Sequence, residues 1–141
     1  MTAPLADMDE ADLVIAAEAD LIRVRQVLRA GCQHAGLGLV DETKMITAGS
    51  ELGRNILTHT SRSRGGVRVD QVQIGTKTGV RATFYDDGPG IPDIDAALTD
   101  GFSTAGGAGI GLPGARRLVD EMTITSAGGT GTTIVIVKWR R

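Results

Sequence analysis

The sequence predicts one α/β domain whose sheet is rich in antiparallel pairs. Three observations lead there. Apolar residues recur at helical spacing between Glu18 and Ser61. Two β-like runs joined by a glycine turn follow, and a second such pair closes the chain. At 141 residues the chain holds one core of useful size and is too short for two ordinary domains.

The elements follow in order. Residues 1–9 read as a loosely attached tail; the flexible segment is bounded at 1–11, and the single domain is expected over 12–141. Leu13 to Ala17 is a short apolar strand. Leu21, Val24, Leu28, Cys32 (or Gly31) and Ala35 then form one helical stripe, stopped by Gly36 and Gly38. A second helix is expected from Asp41 as N-cap, burying Met45, Ala48, Leu52 and Ile56. Glu51 and Asn55 fall one turn apart at the border of that stripe. Ser61 to Gly66 reads as an exposed loop, and Gly75 to Gly79 as the turn between strands around Val67–Ile74 and Val80–Tyr85. A short helix is expected at 94–98 and a longer one from Leu112 to Met122, burying Leu118, Val119 and Met122. Strands at Thr123–Ser126 and Thr132–Val137 flank a glycine turn.

Composition narrows the function. A content of 41% hydrophobic and 23% charged residues is that of a soluble globular protein. A net charge of −2 gives no electrostatic case for nucleic acid or an anionic membrane as partner. The lone Cys32 offers neither an internal disulfide nor a zinc cluster. No apolar run approaches the roughly 20 residues that span a bilayer. The acidic start, Met1 to Asp12, lacks the features of a signal peptide, so a cytoplasmic location is expected. The chain's 20 glycines concentrate after residue 86, which makes backbone rather than side chains the expected material of the site.

Two glycine loops stand out there. Asp86-Asp87-Gly88-Pro89-Gly90-Ile91-Pro92-Asp93 follows a strand, and Gly106-Gly107-Ala108-Gly109-Ile110-Gly111-Leu112-Pro113-Gly114 opens a helix. Glycine permits close backbone approach, and a helix start offers N–H groups to phosphate. The second loop is neither a P-loop, since no Lys-Ser/Thr follows, nor a well-placed dinucleotide fingerprint. Combination with Glu51-x-x-x-Asn55 before it and Gly129-Thr130-Gly131-Thr132 after it is more specific. That order resembles the Bergerat-fold ATPases, the superfamily of gyrase, Hsp90, histidine-kinase catalytic domains and MutL. Glu51–Ile56, Asp87–Asp93, Gly109–Gly114, Arg117–Glu121, Lys138-Trp139 and above all the run Asp100-Gly101-Phe102-Ser103-Thr104 look like the RsbT-type switch kinases.

The resemblance implies an α+β two-layer sandwich, with a mixed, mainly antiparallel sheet and helices on one face. It implies a serine/threonine kinase using ATP and Mg²⁺, with a STAS-domain antagonist as substrate and a phosphatase regulator as output partner. Glu51 would be the general base, and Asn55 would ligate Mg²⁺ through its amide oxygen. Asp86 would accept the adenine amino group, with Thr132 nearby through water. Gly88 and Gly90 would admit the adenine; Gly107, Gly109 and Gly111 would surround the phosphates. Ile91, Ile110 and Leu112 would line the nucleotide, while Ser103 and Thr104 would contact phosphates on lid closure or simply cap the lid. An anti-sigma factor with the same site is the alternative, suited by His59 four residues after Asn55; a non-catalytic ATP sensor is a second. His34 and His59 otherwise read as helix-end residues. Arg62, Arg64 and Arg68 read as a solvated basic loop by default, with docking to an acidic partner face as the sharper alternative. Gly53, where such kinases often carry alanine, costs a helix about 1 kcal/mol and has no role on sequence grounds.

Overall fold

A computed structural model of the protein describes residues 10–59, 65–88, 97–98, 110–126 and 131–141. Its strands are β1 (Glu10–Ile15), β2 (Gly65–Ile74), β3 (Lys77–Asp86), β4 (Glu121–Ser126) and β5 (Thr132–Trp139). They form a five-stranded sheet in the order β1-β2-β3-β5-β4, with each neighbouring pair antiparallel. Helices α1 (Asp20–Ala35) and α2 (Leu39–His59) pack on the sheet and on each other, and α3 (Gly111–Leu118) packs on α2. The α+β fold is the one expected.

Period-two alternation sends one face of the strands to the helices. Val67, Val69, Val80, Ala82, Phe84, Ile134 and Ile136 meet the helical stripes, while Arg68, Arg81, Thr83 and Tyr85 point the other way. The α1 stripe holds as expected, with Val27 added, and Met45, Ala48, Leu52 and Ile56 are the buried face of α2. Each large side chain so buried stabilises the fold by roughly 1.5–3 kcal/mol. Burial also pushes the Cys32 thiol up to about 12, helped by the charges of Glu42 and Asp41.

The ends of α1 are built locally. Asp20 accepts the N–H groups of Ala16 and Ala17 at 2.8 and 2.9 Å, reaching back as a first-turn acid does in a capping box. Those two bonds hold its carboxyl below the usual carboxylate range. At the other end Gly36 turns left-handed at φ 82, and Leu37 N–H reaches the Cys32 carbonyl at 2.9 Å, a Schellman closure. Gly49 and Gly53 let α1 and α2 approach: a methyl at Gly49 would strike Leu28, and one at Gly53 would stand 3.0 Å from Leu21. Packing is thus the reason for Gly53 that helix propensity lacks.

Several boundaries differ from expectation. The sheet begins at Glu10, inside the segment assigned to the tail, because β1 pairs with β2 from that residue. α2 starts at Leu39, so Asp41 sits in its first turn rather than capping it. Gly65 and Gly66 belong to β2, not to a loop, and the β2–β3 turn shortens to Gly75-Thr76, with Gly75 at φ 60. Arg68 is a strand residue facing Asp12 at 3.5 Å. α3 stops at Leu118 because β5 claims the next segment: Glu121 to Ser126 pair along it, and Asp120 N–H reaches the Val137 carbonyl. Met122 is therefore a strand residue, half-buried with Leu118 and Val119 against the core. All but Ala97 and Leu98 of the helix expected at 94–98 lies outside the described residues, as do Arg62 and Arg64.

Candidate functional site

The last turns of α2 carry Glu51 and Asn55. Glu51 is more enclosed than a border position suggests, at 6% exposure, whereas Asn55 is half-buried. The Glu51 carboxylate lies 3.8 Å from the Arg54 guanidinium, one turn on. Gly49 and Gly53 seat this part of the helix over the Phe84 ring of β3, two residues before Asp86.

Asp86 ends β3. Its carboxylate accepts the Gly88 N–H at 2.8 Å, which turns the chain out of the strand. The register sets Asp86 opposite Gly65 on one side and Thr132 on the other. Gly65 is wedged: an added methyl would strike Ile56 of α2 and stand 3.5 Å from the Asp86 Cβ. This glycine therefore brings the Asn55–Ile56 turn and Asp86 to the same end of the molecule. Gly131, at φ 96, presses on the Asp86 carbonyl, where no side chain fits. Thr132 is buried, its hydroxyl 3.2 Å from that of Ser126, which also reaches the Gly131 carbonyl at 3.3 Å.

α3 begins at a left-handed Gly111, φ 69, that is buried beside the exposed Ile110 and half-buried Leu112. Pro113 falls in its first turn, where a missing N–H leaves no bond unmade. The expected residues Gly90, Ile91, Ser103, Thr104, Gly107 and Gly109 lie outside the described residues. Glu51, Asn55, Asp86, Gly88 and Thr132 are thus placed on α2 and the adjoining ends of β3 and β5. Gly65, Gly131, Ser126 and Arg54 join them without having been assigned to the site. The signal available was the tandem pair Gly65-Gly66 for the first and the Gly129-Thr130-Gly131-Thr132 run for the second.

A shallow groove of about 450 Å³ lies elsewhere, on the open face of the sheet. Its charges pair with one another: Arg81 grips Asp70 through two nitrogens, and Asp12 takes the Tyr85 hydroxyl and Arg68. Internal pairing makes it a solvated face rather than the chemical centre. Among the described residues no group of three or more His, Cys, Asp or Glu side chains could hold a metal, and no helix is long and apolar enough to cross a membrane.

Comparison with known proteins adds identity to this geometry. Residues 40–141 match the family model of histidine kinase-, DNA gyrase B- and HSP90-like ATPases. The chain is 42% identical over 133 residues to the serine/threonine-protein kinase RsbT of Bacillus subtilis, covering 94% of this chain and 98% of that one. Its fold resembles the crystal structure of the RsbU and RsbW domains of a Mycobacterium tuberculosis protein, with a TM-score of 0.62 and 22% identity over 95% of this chain and 34% of that one. It also resembles the catalytic domain of the histidine kinase ThkA, with a TM-score of 0.55 and 16% identity over 93% and 95% of the two chains.

Proposed function

The chain belongs to the histidine kinase-, DNA gyrase B- and HSP90-like ATPase family and, within it, to the RsbT-type serine/threonine kinases; from that premise we propose that it phosphorylates a STAS-domain antagonist and then activates a partner phosphatase. The observation that carries the reading is Glu51, buried one turn before Asn55 on a helix that Gly65 ties to Asp86. A base that must accept a hydroxyl proton belongs in such an enclosed place, close to a metal-binding amide and away from bulk water.

In the proposed reaction a serine or threonine oxygen attacks the γ-phosphorus of ATP. The bond from that phosphorus to the β–γ bridging oxygen breaks, ADP leaves, and the hydroxyl proton passes to Glu51. Such transfer relies on positioning and charge stabilisation more than on covalent chemistry. Asn55 would hold Mg²⁺ through its amide oxygen, a hard ligand of the kind that ion accepts. When bound, that ion neutralises charge on the phosphates. Asp86 would select adenine through its amino group, supported by the Thr132–Ser126 hydroxyl pair. The glycines at 88, 90, 107, 109 and 111, with Ile91, Ile110 and Leu112, would surround the nucleotide under a lid bearing Ser103 and Thr104.

The test is transfer from labelled ATP to a STAS-domain protein in the presence of Mg²⁺. Glu51→Gln is expected to lower transfer by roughly 10²–10⁴-fold while ATP binding persists. Asp86→Asn should weaken ATP and relax the preference for adenine over guanine. Normal ATP binding with no transfer to any STAS domain would sink the kinase reading, and recovery of a sigma factor in a pull-down would favour the anti-sigma alternative.

A further inference from the structure

On the outer side of the helical layer, α1 and α2 meet along a seam that presents mainly positive charge. Arg25 Nε donates to Ser50 Oγ at 3.2 Å, and Ser50 Oγ donates to the Ile46 carbonyl at 2.7 Å. Toward one end, Arg29 lies 3.8 Å from Glu42; toward the other, Leu21 packs against Gly53. These contacts run the helices antiparallel and bring Ile22 to the level of Arg54. Burial divides the charges unevenly. The Arg29 and Arg54 side chains are 53% and 44% exposed, while those of their partners Glu42 and Glu51 are 10% and 8% exposed. The carboxylates sit beneath and the guanidiniums stand above.

Both of those pairs, at 3.8 Å, are too long for hydrogen bonds. At that distance each guanidinium, itself about half exposed, keeps N–H donors open to a further acceptor. A guanidinium fork matches a carboxylate closely, so the seam offers acceptors of negative charge a ready site. Ile22, 56% exposed, adds an apolar contact between the arginines. The open face of the sheet differs, because Arg81 is held by Asp70 at 3.0 and 2.5 Å. With a net charge of −2, the chain as a whole does not attract acidic partners; this seam does so locally.

Position ties the seam to the chemistry. At about 100° per residue, Arg54 projects between Ser50, on the α1 side, and Glu51, on the side of the site. Arg54 lies 3.8 Å from the Glu51 carboxylate with its own side chain 44% exposed, so a protein that presented a hydroxyl to Glu51 would come within reach of Arg54.

We propose that the α1–α2 seam, from Arg29 through Arg25 and Ile22 to Arg54, docks an acidic face of the phosphoacceptor protein. This rests on the kinase reading above, so two readouts are taken on the same variants. One is binding of a STAS-domain protein with ADP present and no turnover; the other is steady-state transfer from ATP. Arg25→Glu and Arg29→Glu should each raise the KM for the protein substrate by roughly tenfold or more, with kcat and the KM for ATP within about twofold of wild type. Arg25→Lys and Arg29→Lys should recover most of the loss. Added salt should raise the wild-type KM and leave the doubly reversed variant nearly flat. Arg29→Glu sets a second carboxylate beside the buried Glu42, so Arg29→Ala, which removes the charge without adding another, is read beside it, and a melting curve followed by Trp139 fluorescence verifies that each variant is folded. An unchanged protein KM in the double variant overturns the proposal, as does a loss confined to a phosphatase partner or to nucleic acid. Seam-dependent STAS binding without phosphate transfer upholds the docking surface and defeats the kinase reading alone.

Discussion

At one end of the β3–β5 ladder Asp86 faces Thr132, and at the other Gly79 faces Trp139. The first end is shaped by missing side chains. Gly65 and Gly131 let backbone and helix close in, and the hydroxyls of Thr132 and Ser126 gather beside Asp86. The second end is filled with side chains that satisfy each other. Lys138, its side chain only 5% exposed, lies 3.5 Å from Asp41 and 3.6 Å from Asp120. Asp120 also takes the Trp139 N–H at 2.7 Å and Arg141 at 2.5 Å, while the Trp139 indole donates to Glu121 at 2.8 Å. Lys77 covers the indole ring 4.4 Å from its centroid. Helix α2 spans both, with Asp41 in its first turn and Glu51 and Asn55 near its end. The contrast lies within one sheet: the end that carries the candidate site is shaped by glycines and hydroxyls, and the other is closed by paired charges.

The sharpest way to break that division is Gly131→Ala. The new methyl would be strained at φ 96 and would press on the carbonyl of Asp86 itself, a backbone atom with little freedom to move. Strain and overpacking together should cost roughly 2–5 kcal/mol, read from a urea midpoint followed by Trp139 fluorescence. ATP affinity should fall with it, by about tenfold or more on the scale of one lost charged hydrogen bond. Retention of wild-type affinity would show that the Gly131–Asp86 approach has no part in the site.

Lys138→Ala tests the other end. Removing the shared cation leaves Asp41 and Asp120 facing each other with Arg141 as the cation they still share and the Trp139 N–H still on Asp120. The expected loss is about 2–4 kcal/mol, somewhat under a fully buried pair, since both aspartates keep contact with water. ATP affinity should change by less than about threefold once the comparison is made where both proteins are folded. If nucleotide binding fell as far as in Gly131→Ala, the two ends would not be independent.

How far the sequence reveals this depends on what each residue answers to. Leu21 to Ala35 and Met45 to Ile56 declare their buried faces by spacing alone, because a helix repeats locally and the core needs a continuous stripe. Glu51 and Asn55 are legible for the same reason, as neighbours one turn apart. Asp86 and Thr132 were grouped through a resemblance, and the register supplies the contact that spacing alone does not. The end of α3 is harder. Val119 to Met122 satisfies a helical pattern, and only pairing with β5, distant in sequence, makes Met122 a strand residue. Asp41 looked like a cap because its partner Lys138 lies almost a hundred residues away along the chain. Gly49, Gly53, Gly65 and Gly131 answer to neighbours no local pattern names. Gly131 and Gly65 matter most for the site, and both are defined by what would collide with them.

The smallest predicted effect concerns pH and belongs wholly to the closed end. Partial burial pushes the Asp120 carboxyl up, but the Trp139 N–H, Arg141 and Lys138 outweigh it and hold the group below the usual carboxylate range. A carboxyl whose folded value lies below its unfolded one contributes stability above the unfolded value and loses it as pH falls through the folded one. The unfolded value is 3.8, so the contribution is complete near neutrality and begins to fade below about pH 4. Asp120→Asn removes that titration. The stability gap between wild type and Asp120→Asn should therefore be constant from about pH 6 to 8 and narrow progressively below about pH 4. Urea midpoints read from Trp139, whose backbone bonds Asp120 directly, give the gap at each pH. A gap that stays constant into the acid range would mean that Asp120 works through shape and hydrogen bonding rather than charge. The closed end would then depend on Lys138 and Asp41 for its electrostatics.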